Sequence, residues 1–246
     1  MCVSLLQQFA VNQKTDTLPL SSSKTKKAVV KTRIFIVDDH PVTRQGVAAL
    51  INQEPQLEVC GQVDSAPAAM DQVPKAAPQL AIIDITLKDT SGIELLKNLR
   101  ALLPDLLVLV MSMHDESLYA ERALRAGANG YIMKQEASEK ILTAINCILG
   151  GGLYLSEKMK DKLVHHMLGN KTGEVRSLID SLSDRELEVF QLIGNGYGSS
   201  QIAEKLNLST KTIDSYRENI KVKLNMDKGS DMVRYAIQWS KSEKIG

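Results

Sequence analysis

Five short apolar runs constrain this chain more than any other feature. They lie between residues 33 and 134, and segments of helical spacing separate them. The runs are Ile34-Phe35-Ile36-Val37, Leu57 to Val63, Leu80-Ala81-Ile82-Ile83, Leu106 to Met111 and Gly130-Tyr131-Ile132-Met133. Short, nearly continuous apolar runs suit strands buried on both faces of a parallel sheet. Between them, apolar residues recur with helical period over Val42 to Ile51, over Ile93 to Leu102 before Pro104, and over Leu118 to Ala126 before Gly127. A further helix is predicted from an N-cap at Ser138 through Ile148, ending at Gly150-Gly151-Gly152. The Ala- and Pro-rich piece from Ala66 to Ala77 carries the weakest helical signal. Strands alternating with helices predict an α/β domain, a doubly wound parallel sheet with right-handed crossovers.

Ligands bind such a sheet outside the carboxyl ends of its strands. Asp38 and Asp39 follow the first strand, Asp84 the third, Ser112 the fourth and Lys134 the fifth. Carboxylates held this close repel one another unless a cation joins them, and oxygen donors with open positions suit Mg2+. An aspartate beside such a metal can accept a phosphoryl group as an acyl phosphate, and Lys134 and the Ser112 hydroxyl would stabilise its charge. His40, beside the acidic pair, is read as part of the turn into the first helix rather than as a metal ligand or phosphohistidine.

The motifs IFIVDDHP, AIIDI, VMSMHD and GYIMK resemble the receiver domain of two-component response regulators, over about residues 33–150. The resemblance implies a flavodoxin-like fold and a phosphoacceptor at Asp84, served by a histidine kinase or phosphotransfer protein. It implies Mg2+ held by Asp38, Asp39, Asp84 and the backbone carbonyl of Thr86. It assigns phosphoryl sensing to Ser112 and Lys134, with Tyr131 swinging inward on activation. The sequence departs from the family pattern at Lys88, where many receivers place proline, and at Met113, where many carry a smaller residue.

After the triglycine, residues 151–181 read as a linker with one amphipathic helix, about Ser156 to Leu168. Residues 182–246 are helical in period throughout. Ser183 and Glu186 form a capping box, and Gly194-Asn195-Gly196 ends the helix it opens. Ser200 is the expected cap of a short second helix. After the tight turn Asn207-Leu208-Ser209, Ser209 or Thr210 caps a third, and a last helix runs from about Ser230 to Trp239. Two helices joined by a tight turn make a helix-turn-helix. Lys205, Lys211, Arg217, Lys221 and Lys223 cluster there against Asp214 and Glu218, which suits phosphate contacts.

The segment LSDRELEVFQLIGNGYGSSQIAEKLNLSTKTIDSYRENIKVKL is similar to the LuxR-type DNA-binding domain of the NarL/FixJ family. This resemblance implies a separate all-α module whose third helix, about Thr210 to Leu224, enters the major groove. Its base-facing positions are Asp214, Ser215 and Glu218, and its phosphate partners are Thr210, Lys211, Thr212, Arg217 and Lys221. Tyr216 stands where histidine is very common. The resemblance further implies a receiver that masks the recognition helix until phosphorylation, then a homodimer on paired half-sites, in part through the fourth helix.

Composition narrows the alternatives. The net charge of +1 hides ten basic against fifteen acidic residues over 33–150, a poor surface for a polyanion. Cys2, Cys60 and Cys147 are too few and scattered for a disulfide framework, and no apolar run is long enough to span a bilayer, so a cytoplasmic protein without membrane contact is expected. Residues 1–32 read as a flexible basic extension without a signal peptide. A phosphatase using the same pocket would need a general acid two residues after the nucleophile, where Thr86 stands, and a cap domain. A binding module for protein alone would leave the basic cluster unexplained. The remaining alternative is a DNA-binding regulator with a vestigial, phosphorylation-independent receiver.

Overall fold

The computed structural model describes residues 30–88, 90–113, 116–167 and 178–243. The N-terminal apolar patch and the basic Ser/Lys stretch after it lie outside the described residues, as does the segment from Leu168 to Ser177. Five parallel strands, β1 (Thr32–Val37), β2 (Leu57–Val63), β3 (Leu80–Asp84), β4 (Leu107–Ser112) and β5 (Gly130–Met133), form one sheet in the order β2-β1-β3-β4-β5. Helices α1 (Pro41–Gln53), α2 (Ala66–Ala76), α3 (Gly92–Leu102), α4 (Glu116–Arg125) and α5 (Ala137–Leu149) connect and cover them.

Side chains alternate across the pleat, so each strand feeds two cores. Ile34, Ile36, Ile82, Leu109 and Ile132 face one side with α1 and α5 residues Ile51, Ile141, Ile145 and Ile148. Phe35, Val37, Ile83, Val108, Val110 and Tyr131 face the other with Val73, Leu96, Leu99, Tyr119 and Ala123. The weak helical signal at Ala66 to Ala77 is a helix, with Pro74 inside it and Ala77 in the left-handed conformation at its end. Gly127, at φ +102°, ends α4, and its amide donates to the Leu124 carbonyl. Ser138 does not cap α5. A 3-10 turn over Lys134–Glu136 runs directly into the helix, so the N-cap position falls on Glu136.

Beyond the triglycine the chain returns to the sheet before leaving it. Tyr131 N donates to the Tyr154 carbonyl at 2.9 Å, and Tyr154 N to the Asn129 carbonyl at 3.1 Å, so Tyr154 bridges to the edge of β5. Helix α6 (Glu157–Met167) follows, opened by Ser156, whose Oγ accepts from Met159 N.

The C-terminal helices are α7 (Asp184–Gly194), α8 (Ser199–Leu206), α9 (Thr210–Lys223) and α10 (Gly229–Glu243). The Ser183–Glu186 capping box is formed in both directions. Ser209 caps α9 by accepting from Thr212 N at 3.0 Å. The expected cap at Ser200 is displaced to Gly198, whose amide donates to Gln201 Oε1 at 3.0 Å. Phe190 of α7 packs against Tyr235 and Trp239 of α10.

Candidate functional sites

The parallel register brings the carboxyl ends of β1, β3, β4 and β5 to one edge. Asp84 ends β3 and pairs with Met111, one residue before Ser112. Ser112 in turn pairs with Met133, one residue before Lys134. Lys134 Nζ lies 2.7 Å from Asp84 Oδ2 and 2.8 Å from Asp38 Oδ2, bridging two carboxylates that are both fully buried. Thr86 N donates to the other Asp84 oxygen at 3.2 Å. Burial raises the Asp84 carboxyl to about 6, against the Lys134 charge that lowers it, and the nearby Asp38 charge adds to the rise.

Asp38, Asp39, Asp84 and His40 offer ligand atoms within 4.8 Å of one another. His40 occupies the N-cap position of α1, at the turn into that helix, as read from the sequence. Its ring also enters the acidic cluster, which that reading did not anticipate: Nδ1 is 2.6 Å from Asp39 Oδ1 and 3.3 Å from Asp38 Oδ1. Arg44, one turn into α1, donates to the Asp38 carbonyl. Asp38 Oδ2 and Asp39 Oδ1 are buried, and their partners are the ion-pairing Lys134 and His40 rather than oriented hydrogen-bond donors. The three carboxylates of this cluster, with under-satisfied buried oxygens, fit a hard divalent cation. Ser112 and Tyr131 are buried, at 0% and 1% exposure, so the Tyr131 ring is inside the domain. Met113 is exposed.

Gly92 sets the shape of the loop after Asp84. Its amide donates to the Ile85 carbonyl at 2.6 Å, and a Cβ at this position would lie 1.8 Å from the Asp84 carbonyl oxygen. Only glycine permits α3 to start this close to the strand.

On α9, Asp214, Ser215, Glu218, Thr210 and Lys211 are exposed, and Thr212, Arg217 and Lys221 are half-buried. Lys221 pairs with Glu218 at 2.6 Å, Lys223 with Glu186 at 2.6 Å, and Lys205 sits 4.7 Å over the Tyr197 ring. Asp214, Ser215 and Glu218 are accessible in this arrangement, and the receiver's hydrogen bonds run to α7 and the turn before it. Arg122 of α4 donates to the carbonyls of Leu182 (2.7 Å) and Ile179 (3.1 Å) and pairs with Asp184. Tyr119 donates to Gln191 Oε1 at 3.0 Å. Tyr216, at the position where histidine is common in the family, lines an open cleft of about 350 Å³ with Thr90, Lys97, Arg122 and Arg185.

Comparison with known proteins agrees with this architecture. Residues 34–146 match the response regulator receiver domain, and residues 180–236 match the bacterial regulatory proteins of the luxR family. The chain is 33% identical over 210 residues to the oxygen regulatory protein NreC of Staphylococcus carnosus, covering 84% of this chain and 97% of that one. It is 31% identical over 221 residues to the transcriptional regulatory protein DegU of Brevibacillus brevis, covering 85% and 94%. Among solved structures it resembles RcsB from Salmonella enterica serovar Typhimurium bound to a promoter in the presence of the phosphomimetic BeF3−, at 25% identity and a TM-score of 0.55, over 84% of this chain and 98% of that one. An acidic pocket at the strand ends of a doubly wound sheet, joined to a helix-turn-helix, defines a receiver coupled to a DNA-binding output. The chain belongs to the NarL/FixJ family of DNA-binding two-component response regulators, with a LuxR-type output domain.

Proposed function

We propose that Asp84 is the phosphoacceptor, fed by a histidine kinase or phosphotransfer protein, and that its phosphorylation governs how α9 is presented to double-stranded DNA. The observation that carries this reading is the convergence of Asp38, Asp39 and Lys134 on the Asp84 carboxylate. An Asp84 oxygen attacks the phosphorus of the donor phosphohistidine. The new O–P bond forms as the P–N bond breaks, and the imidazole leaves to take up a proton. Asp38, Asp39, Asp84 and the Thr86 carbonyl would hold Mg2+, which supplies positive charge against the phosphoryl oxygens. Lys134 adds a fixed ammonium on the same side, and Ser112 a hydroxyl at the neighbouring strand end. Tyr131 follows the hydroxyl residue as the internal reporter. This self-transfer and its hydrolysis are the bond chemistry assigned to the chain in this reading.

On the output side, α9 enters the major groove with Asp214, Ser215 and Glu218 toward the bases. Thr210, Lys211, Thr212, Arg217 and Lys221 meet phosphates. The phosphorylated form acts as a homodimer on paired half-sites. RcsB, described as dimers bound to DNA, supports that assembly by analogy. No helix among the described residues is long and apolar enough to cross a membrane. Together with DNA as a partner, this supports a cytoplasmic site of action.

A second reading, DNA binding independent of phosphorylation, draws on the exposure of Asp214, Ser215 and Glu218 while the receiver is docked on α7. Salt-titrated fluorescence anisotropy on genomic fragments, with and without beryllofluoride plus Mg2+, separates the two. A gain in affinity that Asp84→Asn abolishes is the expected result. Equal, tight binding in every state would favour the second reading, and no binding in any state would overturn both.

A further inference from the structure

His40 serves the acidic edge of the sheet twice. Its main-chain amide donates to Asp38 Oδ1 at 2.8 Å, which holds that carboxylate in place. Its ring then enters the cluster on its own account. Nδ1 lies 2.6 Å from Asp39 Oδ1, 3.3 Å from Asp38 Oδ1 and 3.7 Å from Asp84 Oδ2, one oxygen from each of three carboxylates. Lys134 Nζ stands 3.4 Å from the same nitrogen. The side chain does not cap α1, and it is 58% exposed, so neither capping nor core packing accounts for its place. The backbone does. Pro41 follows, and a residue before proline is confined to extended conformations. His40 is held at φ −91° and ψ 106°, which aims the ring across the strand ends. Facing it, Asp38 Oδ2 and Asp39 Oδ1 are buried atoms that lack an oriented hydrogen-bond donor.

We propose that His40 is a selectivity residue of the cation site, a nitrogen ligand that tilts the site from Mg2+ toward a first-row transition ion such as Mn2+ or Co2+. This rests on the reading that Asp38, Asp39 and Asp84 hold the acceptor's cation. Donor atoms around one octahedral ion stand about 3 Å apart when adjacent and about 4 Å apart when opposite, at metal–ligand bonds of about 2.1 Å. The His40 nitrogen is already at that spacing from Asp38 and Asp84, and the four side chains offer ligand atoms within 4.8 Å of one another. Its shorter contact with Asp39 is one that a bound ion would replace. Carboxylates alone suit Mg2+, Ca2+ and Mn2+ alike, so they discriminate little among these ions. An imidazole changes that. Mg2+ keeps oxygen ligands and its own waters, whereas affinity for a nitrogen donor rises along the series from Mn2+ to Co2+. The half-exposed ring can turn its lone pair onto the ion without repacking the core. A transition ion still supplies positive charge to the phosphoryl oxygens, so the acceptor keeps its chemistry and only the choice of ion changes.

The test is cation binding by the full chain. Calorimetric titrations with Mg2+, Mn2+ and Co2+ compare wild type with His40→Ala and His40→Gln, and pulsed electron paramagnetic resonance examines the bound Mn2+. Both variants keep the main-chain amide that holds Asp38, and the side chain they change is largely exposed, so both should fold. In wild type the Mn2+ echo should be modulated by a directly bound nitrogen nucleus, and in both variants that modulation should vanish. The preference for Mn2+ and Co2+ over Mg2+ should fall on the order of ten-fold in His40→Ala. His40→Gln, which offers an oxygen instead, should keep the Mg2+ affinity and lose the preference. An unchanged Mn2+-to-Mg2+ ratio in both variants, or no nitrogen modulation in wild type, would overturn the assignment of His40. Failure of wild type to bind any of the three ions, or equal binding by Asp38→Asn, would instead remove the cation reading and the selectivity with it.

Discussion

Lys134 Nζ stands 2.7 Å from Asp84 Oδ2, although fifty residues separate them, because β5 lies one strand beyond β4 from β3. Even with that ammonium in place, burial leaves the Asp84 carboxyl raised to about 6 from an ordinary 3.8. The ionised form is therefore held at a cost in the metal-free protein. A carboxyl raised on folding costs stability above its folded value and costs nothing below its unfolded value. In EDTA, Asp84→Asn should stabilise the receiver by up to about 3 kcal/mol at pH 7. The gain should shrink as pH falls through 6 and vanish below 4. Thermal unfolding across that range checks it, and an unchanged or lowered midpoint at pH 7 would contradict it.

Gly92→Ala should damage the acceptor loop. The added methyl would stand 1.8 Å from the Asp84 carbonyl oxygen, and backbone cannot move aside cheaply. We expect a loss of about 1–3 kcal/mol, with a fall in beryllofluoride affinity measured at a temperature where the variant is still folded. Wild-type stability in this variant would show that the loop is free to shift.

Arg122→Ala should release α7 while leaving both halves folded. It removes donors to the Leu182 and Ile179 carbonyls and one of the two cations that pair with Asp184, the other being Lys97, all at the contact between the halves. The expected loss in docking free energy is about 1–3 kcal/mol. Small-angle scattering should show a larger radius of gyration without phosphomimetic. A radius equal to wild type would mean that the other contacts suffice.

Glu186 links the α7 cap to α9. Burial works to raise its carboxyl. Hydrogen bonds from Lys223 and from the Ser183 amide and hydroxyl outweigh that and hold it below its ordinary 4.5. A carboxyl lowered on folding contributes stability above its unfolded value and loses it as pH falls through the folded one. Glu186→Gln should therefore cost about 0.5–2 kcal/mol at pH 7. Its melting curve should approach wild type only as pH falls below the ordinary 4.5 of the carboxyl. Convergence at neutral pH would assign the cap no electrostatic part.

Lys211→Ala should weaken DNA binding about equally across sequences and reduce the salt slope by about 1. Lys221→Ala should do less, because Lys221 is already paired with Glu218. Anisotropy at several salt concentrations distinguishes these, and a sequence-selective loss at Lys211 would place it on a base instead.

The strand runs, the polar residue at each strand end and the Ser183–Glu186 box were all legible along the chain, because each depends on local period or on neighbours three residues apart. Ser138 and Ser200 misled for the same reason. A serine beside an apolar run is a capping signal only if the chain enters the helix there. A 3-10 turn and a glycine moved the true starts to Glu136 and Gly198. The sequence alone determined that five chemically matched side chains would share one edge of a parallel sheet and that a helix-turn-helix would follow. It could not say that His40 turns its ring into the carboxylates, that Tyr154 closes the β5 edge, or that Arg185 and Glu188 of α7 end on the loop beside Asp84. Those contacts join residues as far as 102 positions apart, through side chains that in sequence look like any solvated pair on a helix. Only the packing of α7 against the receiver gave Arg185 and Glu188 their partners on that loop, since hydrogen bonds and ion pairs act over a few ångströms and the period of a helix says nothing about what lies across from it.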